Sequence, residues 1–169
     1  MQINNSVPLK KISSILLLIL LSGISYSQSY KGKITKVVDG DTYFFQTTNE
    51  TLKVRMFGID APEGNQPFGK ESKEFMSEYM HKDATLVTHG HDQYKRTLGT
   101  LFIDGQDINL LSVKGGYSWH YKRYLDDKQY ANAQANAKRN KLGLWSLSNP
   151  IPPWNWRQVE RQHGTFQHK

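Results

Sequence analysis

Apolar and polar positions alternate along the chain from residue 31 to residue 59. Alternation with a period of two is typical of strands that bury one face, and three such segments lie at 31–38, 42–48 and 52–59. Asp39-Gly40 and Asn49-Glu50 separate the segments and favour tight turns. The pattern therefore predicts three consecutive antiparallel strands in a curled meander.

The pattern changes further along the chain. Residues 70–80 place their apolar side chains at helical spacing, whereas residues 84–90 and 97–103 predict two more strands, the second of which ends at the turn Asp104-Gly105. Residues 108–113 and 126–141 predict two more helices, each followed by glycine. Five strands, with one helix after the third and two at the end, predict an α+β fold: a five-stranded OB-type barrel with about three helices.

The first 27 residues follow a different pattern. Lys10 and Lys11 precede an apolar run of ten residues with only two serines in it, and the small residues Ser25 and Ser27 come after it. This order is typical of a secretory signal peptide. The run is shorter than the roughly 20 residues that cross a bilayer. We predict a signal peptide over residues 1–27, a secreted or periplasmic protein and no stable membrane insertion after cleavage; an uncleaved anchor is the alternative.

Length and composition predict one folded domain. The chain has 169 residues, of which 37% are hydrophobic, and no cysteine that could form a disulfide. We assign the domain to residues 28–148 and a Pro- and Trp-rich extension to residues 149–169. The formal charge is +7, or +5 without the first 27 residues. This charge suits a polyanionic partner such as nucleic acid, but ordinary solubility charge explains it equally well.

Two acidic clusters lie at the ends of predicted strands. Asp41 follows the first turn, and Asp60 and Glu63 follow the third strand. A hard cation takes carboxylate, carbonyl and water oxygens, so Asp41, Asp60 and the backbone carbonyl near Ala61 form a suitable ligand set. Glu63 is placed to orient or deprotonate a water molecule beside that cation. Turn formation alone also explains Asp-Gly-Asp-Thr, so this motif by itself indicates little.

Two arginines and several aromatic residues complete the candidate chemistry. Arg55 shares a predicted strand with Asp60, and Arg96 begins the fifth strand. Planar guanidinium groups suit the non-bridging oxygens of a phosphate, although a lone arginine is more often solvated or ion-paired. Tyr124 ends an aromatic and basic stretch, 117–124, that suits base stacking, with packing at the barrel edge as the alternative.

Together these motifs resemble the staphylococcal nuclease (thermonuclease) family, over about residues 31–146. The matching motifs are Val38-Asp39-Gly40-Asp41-Thr42, Arg55 with Ile59-Asp60-Ala61-Pro62-Glu63, Tyr94-Lys95-Arg96, and Lys138-Arg-Asn-Lys-Leu142-Gly-Leu-Trp145-Ser146. Four motifs in order at suitable spacing are far more specific than any one of them. The chain is thus similar to a secreted bacterial member of that family.

The resemblance implies a fold and a site. It implies the family's OB-type barrel with three helices, and Ca²⁺ held by Asp41, Asp60 and the carbonyl of Ala61. Glu63 would act on the attacking water, and Arg55 and Arg96 would bind the phosphate and stabilise the transition state. Tyr94 matches the tyrosine on the phosphate side of the family's site. Such an enzyme cleaves DNA and RNA with little sequence preference and leaves 3′-phosphate ends. We expect a monomer.

Three positions depart from the best-known family members. Ala61 replaces a threonine, which a carbonyl ligand tolerates, and the loop after Glu63 is shorter. Lys95 replaces a glycine between Tyr94 and Arg96; if that turn needs a positive φ, lysine costs roughly 1–2 kcal/mol there. None of these differences removes a functional group.

Two other classes of function were weighed against a nuclease. A non-catalytic nucleic-acid-binding OB module would keep the barrel without the charged residues. A protein-interaction domain that uses the Trp-rich extension has only composition in its favour. The joint presence of three acids and two arginines favours the enzyme, because a binding module has no need of that set.

Overall fold

The computed structural model describes residues 28–166, with the side chains of residues 28–162. The predicted signal peptide lies outside the described residues. Within residues 28–166, no helix is both long and apolar enough to span a bilayer.

Eight strands lie in the described part of the chain. Five of them are long: β1 (Ser29–Val37), β2 (Thr42–Gln46), β3 (Thr51–Met56), β5 (Asp83–His91) and β6 (Thr97–Ile103). The other three contain two residues each: β4 (Ile59–Asp60), β7 (Gln106–Asp107) and β8 (Trp119–His120). The long strands are ordered β3-β2-β1-β5-β6, and parallel pairing of β3 with β6 closes them into a mixed barrel. The predicted five-stranded barrel and α+β class are confirmed.

Four α-helices are present among residues 28–166, one more than the predicted number. They are α1 (Gly69–Ser77), α2 (Ile108–Gly115), α3 (Lys128–Arg139) and α4 (Pro153–Phe166), and a 3₁₀ turn spans Gly143–Ser146. The additional helix, α4, lies in the C-terminal extension. Pro153 begins it, and its fixed φ suits the first helical position. The prolines and tryptophans around residue 153 obscured this helix in the sequence pattern.

The barrel interior is filled by side chains from every long strand. Ile34, Tyr43, Phe45, Leu86 and Leu101 are completely buried there. A second apolar cluster comprises Trp119, Ala137, Leu144 and Trp145, and Phe68 and Trp154 pack against it. This second cluster connects α3 and the 3₁₀ turn to the beginning of α4.

Strand register brings the candidate site to one end of the barrel. Thr42 pairs with Arg55 across β2 and β3, and Arg55 pairs with Leu98 of β6. The beginning of β2, the end of β3 and the beginning of β6 therefore meet. Gly40 allows close packing there, because a Cβ at this position would lie 2.7 Å from the Cβ atoms of both Ala61 and Ser72.

Candidate active site

A cleft of about 530 Å³ opens at this end of the barrel. All eight residues predicted from the sequence line it: Asp41, Arg55, Asp60, Ala61, Glu63, Tyr94, Arg96 and Tyr124. The structure thus brings together residues from four separate parts of the chain. The individual roles of these residues stay predictions.

Arg55 joins the two predicted metal ligands. Its Nη2 lies 2.6 Å from Asp60 Oδ1 and 3.1 Å from Asp41 Oδ2. Its Nη1 donates to the backbone carbonyls of Met56 and Ile59, each at 2.8 Å. Asp41 and Asp60 form an acidic cluster, and the buried guanidinium of Arg55 lies at its base.

The two buried carboxylates are electrostatically unfavourable as a metal-free pair. Burial raises the pKa of Asp41 to about 6; Arg55 opposes this rise and Asp39 adds to it. Burial also raises the pKa of Asp60, which Arg55 opposes and the charge of Asp41 reinforces. A bound cation would favour the charged form of both groups. The cluster therefore fits a divalent cation on electrostatic grounds.

The side chains of the cluster do not form a complete cage. Within the described part of the chain, no three His, Asp or Glu side chains are grouped closely enough to hold a metal ion. A cation at Asp41 and Asp60 would need further oxygen ligands from the backbone, water or a substrate phosphate, an arrangement common for hard cations. The backbone N–H of Ala61 donates to Asp41 Oδ2 at 2.6 Å, which orients that carboxylate. Ligation by the Ala61 carbonyl stays a prediction.

The turn before β6 orients Arg96. Asp92 Oδ1 accepts hydrogen bonds from the amides of Tyr94 and Arg96, each at 2.9 Å, and its Oδ2 lies 2.7 Å from Arg96 Nε. Burial raises the pKa of Asp92, but the Arg96 amide and guanidinium outweigh that effect and lower it. Arg96 Nη1 also lies 3.3 Å from Thr42 Oγ1. Asp92 was missed as a site residue, although an aspartate that opens a turn commonly bonds to the next amides.

Lys95 has a positive φ of 62°, so the condition under which lysine is strained in this turn is met. Lysine pays a steric cost in this left-handed conformation. The amide of Lys95 donates to the carbonyl of Asp92 at 3.0 Å, so the turn is held at both its backbone and its side chains. Asp92 thus stabilises a turn that glycine would adopt without strain.

The two tyrosines lie on the open part of the cleft. Tyr94 is 71% exposed, and the Arg96 guanidinium carbon lies 5.6 Å from its ring centroid. Tyr124 is 45% exposed and its ring packs against Phe57 and Tyr121 at 6.2 and 5.3 Å between centroids. Exposed rings at the edge of the cleft suit contact with a base or sugar.

Sequence reasoning missed Arg157 of α4, which contacts two of the predicted site carboxylates. Its Nη2 lies 2.8 Å from Asp60 Oδ2, and its Nη1 lies 2.5 Å from Glu63 Oε1. The residue follows Glu63 by 94 positions in the chain and lies outside the four motifs. No local pattern identifies such a contact, because only the docking of α4 creates it.

Comparison with known proteins gives one family and several similar chains. The family described as staphylococcal nuclease homologue matches residues 53–147. A Haemophilus influenzae protein named as an uncharacterized endonuclease is 38% identical over 94% of this chain and 90% of its own length. A Shigella flexneri protein named micrococcal nuclease is 30% identical over 85% of this chain and 89% of its own length. A staphylococcal-like nuclease of Arabidopsis thaliana is 32% identical over 65% of this chain and 34% of its own length.

Proposed function

This chain belongs to the family of staphylococcal nuclease homologues, and on that premise we propose that it is a secreted, calcium-dependent nuclease. Its substrates are DNA and RNA, cleaved with little sequence preference to leave 3′-phosphate ends. The observation that carries the proposal is the convergence of Asp41, Asp60, Glu63 and Arg96 on one cleft. Relatives named as endonucleases and as micrococcal nuclease support the same activity. The protein acts as a monomer.

The acidic cluster would hold the cation. Asp41, Asp60 and the carbonyl of Ala61 would be its protein ligands, and the bound ion would supply positive charge beside the phosphate. Arg55 keeps the two carboxylates together from below, through the contacts of 2.6 and 3.1 Å. The carboxylates favour a hard cation, and the choice of Ca²⁺ over Mg²⁺ or Mn²⁺ follows from the family resemblance.

Glu63 and Arg96 act on the reacting groups. Glu63 accepts a proton from the attacking water as its oxygen bonds to phosphorus. The bond from phosphorus to the 5′ oxygen then breaks, so the phosphate stays on the 3′ side and the 5′ oxygen leaves as a hydroxyl after it takes up a proton. Arg96 donates to the phosphate oxygens as their negative charge increases, and Arg55 adds positive charge from below. Tyr94 and Tyr124 contact the sugar and bases beside the scissile bond.

Digestion of denatured DNA and of RNA by the purified protein tests this proposal. We expect endonucleolytic cleavage with Ca²⁺, complete loss of cleavage with a chelator, and weaker or no cleavage with Mg²⁺ or Mn²⁺ alone. Direct ligation of the fragments identifies the ends, because fragments with a 5′-phosphate and a 3′-hydroxyl ligate, whereas fragments with a 3′-phosphate and a 5′-hydroxyl do not. Cleavage that persists unchanged in chelator would contradict the metal mechanism, and binding of nucleic acid without cleavage would favour the non-catalytic OB module.

Two variants test the site itself. Glu63→Gln and Arg96→Ala should each lower kcat by about 10²–10³-fold, the usual effect of removing one group that stabilises the transition state. Arg139→Ala is the matched control, because it removes a positive charge from α3 outside the cleft. Thermal unfolding checks that each variant is folded. Near-normal turnover in both site variants would show that the roles of these residues are wrongly assigned.

Export is tested separately on cells that produce the full chain. N-terminal sequencing of the protein from the medium and periplasm should begin at Gln28. Protein found only in membranes, with residue 1 intact, would favour the uncleaved anchor.

A further inference from the structure

Helix α4 forms part of the cleft wall. Trp154, Arg157, Gln158 and Arg161 all line the cleft, at spacings of three and four residues that place them on one face of the helix. The family match covers residues 53–147, so this helix lies beyond it. The predicted chemistry of the site leaves this face without a role.

The helix is anchored at several points to the barrel and to the loop after Glu63. The ring of Trp154 packs against Trp119 and Tyr121, with centroids 5.7 and 5.3 Å apart. Gln66 Nε2 donates to the carbonyl of Ile151 at 2.6 Å, just before α4 begins. Trp156 Nε1 donates to Asn65 Oδ1 at 3.3 Å. These contacts hold the same face of α4 toward the cleft.

Helix α4 changes the net charge of the residues that line the cleft. Among the described residues that line it there are five carboxylates: Asp39, Asp41, Asp60, Glu63 and Asp92. Barrel and loop positions contribute the three arginines Arg55, Arg96 and Arg123, and α4 contributes Arg157 and Arg161. Without α4 the lining is net negative and would repel a polyanion, whereas with α4 its charges balance. A divalent cation would then make the cleft net positive.

We propose that α4 is a strand-binding wall of the nuclease, on which Arg157 and Arg161 contact phosphates of single-stranded nucleic acid beyond the scissile bond. The proposal rests on the proposed function. The two arginines lie one turn apart, about 6 Å along the helix axis, a spacing that lets them contact different phosphates of one strand. In the absence of a cation Arg157 pairs with Asp60 and Glu63. A cation held by Asp60 would weaken the pairing of Arg157 with that carboxylate, so that the guanidinium turns toward a phosphate.

Fluorescence anisotropy of a labelled single-stranded oligonucleotide tests the proposal. Binding is measured over a series of salt concentrations, in chelator so that no cleavage occurs. Arg161→Gln should weaken binding. It should also make the negative slope of log K against log salt shallower by about 0.7, the value for one lost phosphate contact on a single strand. Arg157→Gln/Arg161→Gln should weaken binding further, because loss of Arg157 leaves the negative charges of Asp60 and Glu63 uncompensated beside the strand. Arg139→Gln, which removes the same charge from α3, should bind as the parent does.

Cleavage kinetics with Ca²⁺ supply the second readout. Arg161→Gln should raise KM and leave kcat nearly unchanged, because a contact to a distant phosphate is made equally in the ground state and the transition state. Arg157→Lys should retain part of the affinity that Arg157→Gln loses. Circular dichroism checks that α4 remains helical in each variant.

The outcomes separate this inference from the proposed function. Parent-like affinity and salt slope in the double variant overturn the strand-binding wall, whatever the nuclease activity. Faster cleavage by Arg157→Gln with unchanged binding also overturns it, since Arg157 would then compete with the cation. If the parent protein binds the oligonucleotide through Arg161 but cleaves no nucleic acid, the strand-binding wall is supported and the proposed nuclease activity is contradicted.

Discussion

At the scale of single residues, the cleft keeps buried charges at the expense of stability. Asp41 and Asp60 are almost fully buried, and Arg55 lies between them. Arg55, and for Asp60 also Arg157, does not fully offset the desolvation of these carboxylates, so burial raises the pKa of both. Such an arrangement suits a site whose remaining positive charge is supplied by a ligand.

Replacement of Asp41 should therefore stabilise the metal-free protein. The pKa of Asp41 is raised from 3.8 to about 6 in the folded state, so protonation favours folding. The stability that protonated Asp41 contributes is complete below pH 3.8 and lost as pH rises through about 6. Asp41→Asn, which cannot ionise, should thus unfold a few degrees higher than the parent at pH 7.5, on the order of 1 kcal/mol.

The pH dependence of this gain is the decisive measurement. Thermal unfolding in chelator should show the difference between variant and parent above pH 6 and its disappearance at pH 4. Asp83→Asn is the control, because Asp83 is exposed and forms only a surface ion pair with Lys33. A variant less stable than the parent at pH 7.5 would mean that the pairing of Asp41 with Arg55 outweighs its burial.

At the scale of secondary-structure elements, α4 attaches the C-terminal extension to the barrel and to the loop after Glu63. Its first turn packs on the cluster around Trp119, and its later residues reach Asp60, Glu63 and Asn65. The helix has polar residues around most of its circumference, so its own propensity does not hold it in place. Packing of Trp154 is the contact that determines its position.

Trp154→Ala should loosen α4 and leave the barrel intact. The indole is half-buried, and loss of its apolar area should cost about 2 kcal/mol of the free energy that docks the helix. Amide hydrogen exchange of residues 151–162 should become faster, while that of β2 and β6 should not change. Val159→Ala is the matched control on the same helix, since Val159 is 47% exposed. Unaltered exchange in the Trp154 variant would contradict this account of α4.

At the scale of the whole molecule, the cleft would couple binding of a cation to folding. Its residues come from the turn between β1 and β2, from β3 and β4, from the turn before β6, from the segment after β8 and from α4, so the complete cleft forms only when these elements have folded together. A ligand that binds only this folded arrangement stabilises all of it.

Ca²⁺ should accordingly raise the unfolding temperature of the parent. A concentration of 100 times Kd contributes about 2.7 kcal/mol of stability. Asp60→Asn should lose most of this shift, whereas Asp83→Asn should keep it. Differential scanning calorimetry with Ca²⁺ and with chelator makes the comparison. An equal shift in Asp60→Asn would indicate that Ca²⁺ binds elsewhere on the protein.

The sequence by itself determined the features that depend on local pattern. Strand-like and helix-like segments of the sequence identified all five long strands and α1, α2 and α3. The sequence showed that Lys95 would be strained if its turn had a positive φ, and the structure has that φ. Most of the eight site residues were predicted from motifs at strand ends together with the family resemblance, and Tyr124 from an aromatic and basic stretch.

Only the tertiary structure decided how the charges are paired. Arg55 proved to be a buried bridge between carboxylates, and Asp92 proved to be the anchor of Arg96. Arg157 contacts Glu63, although the two residues are 94 positions apart in the chain. The contact depends on α4, whose prolines and tryptophans interrupt the periodic pattern that identifies a helix in the sequence. Hydrophobic periodicity reports which face of an element is buried, but not which distant element buries it. The wall that α4 adds to the cleft therefore follows from packing, and the barrel beneath it follows from the sequence.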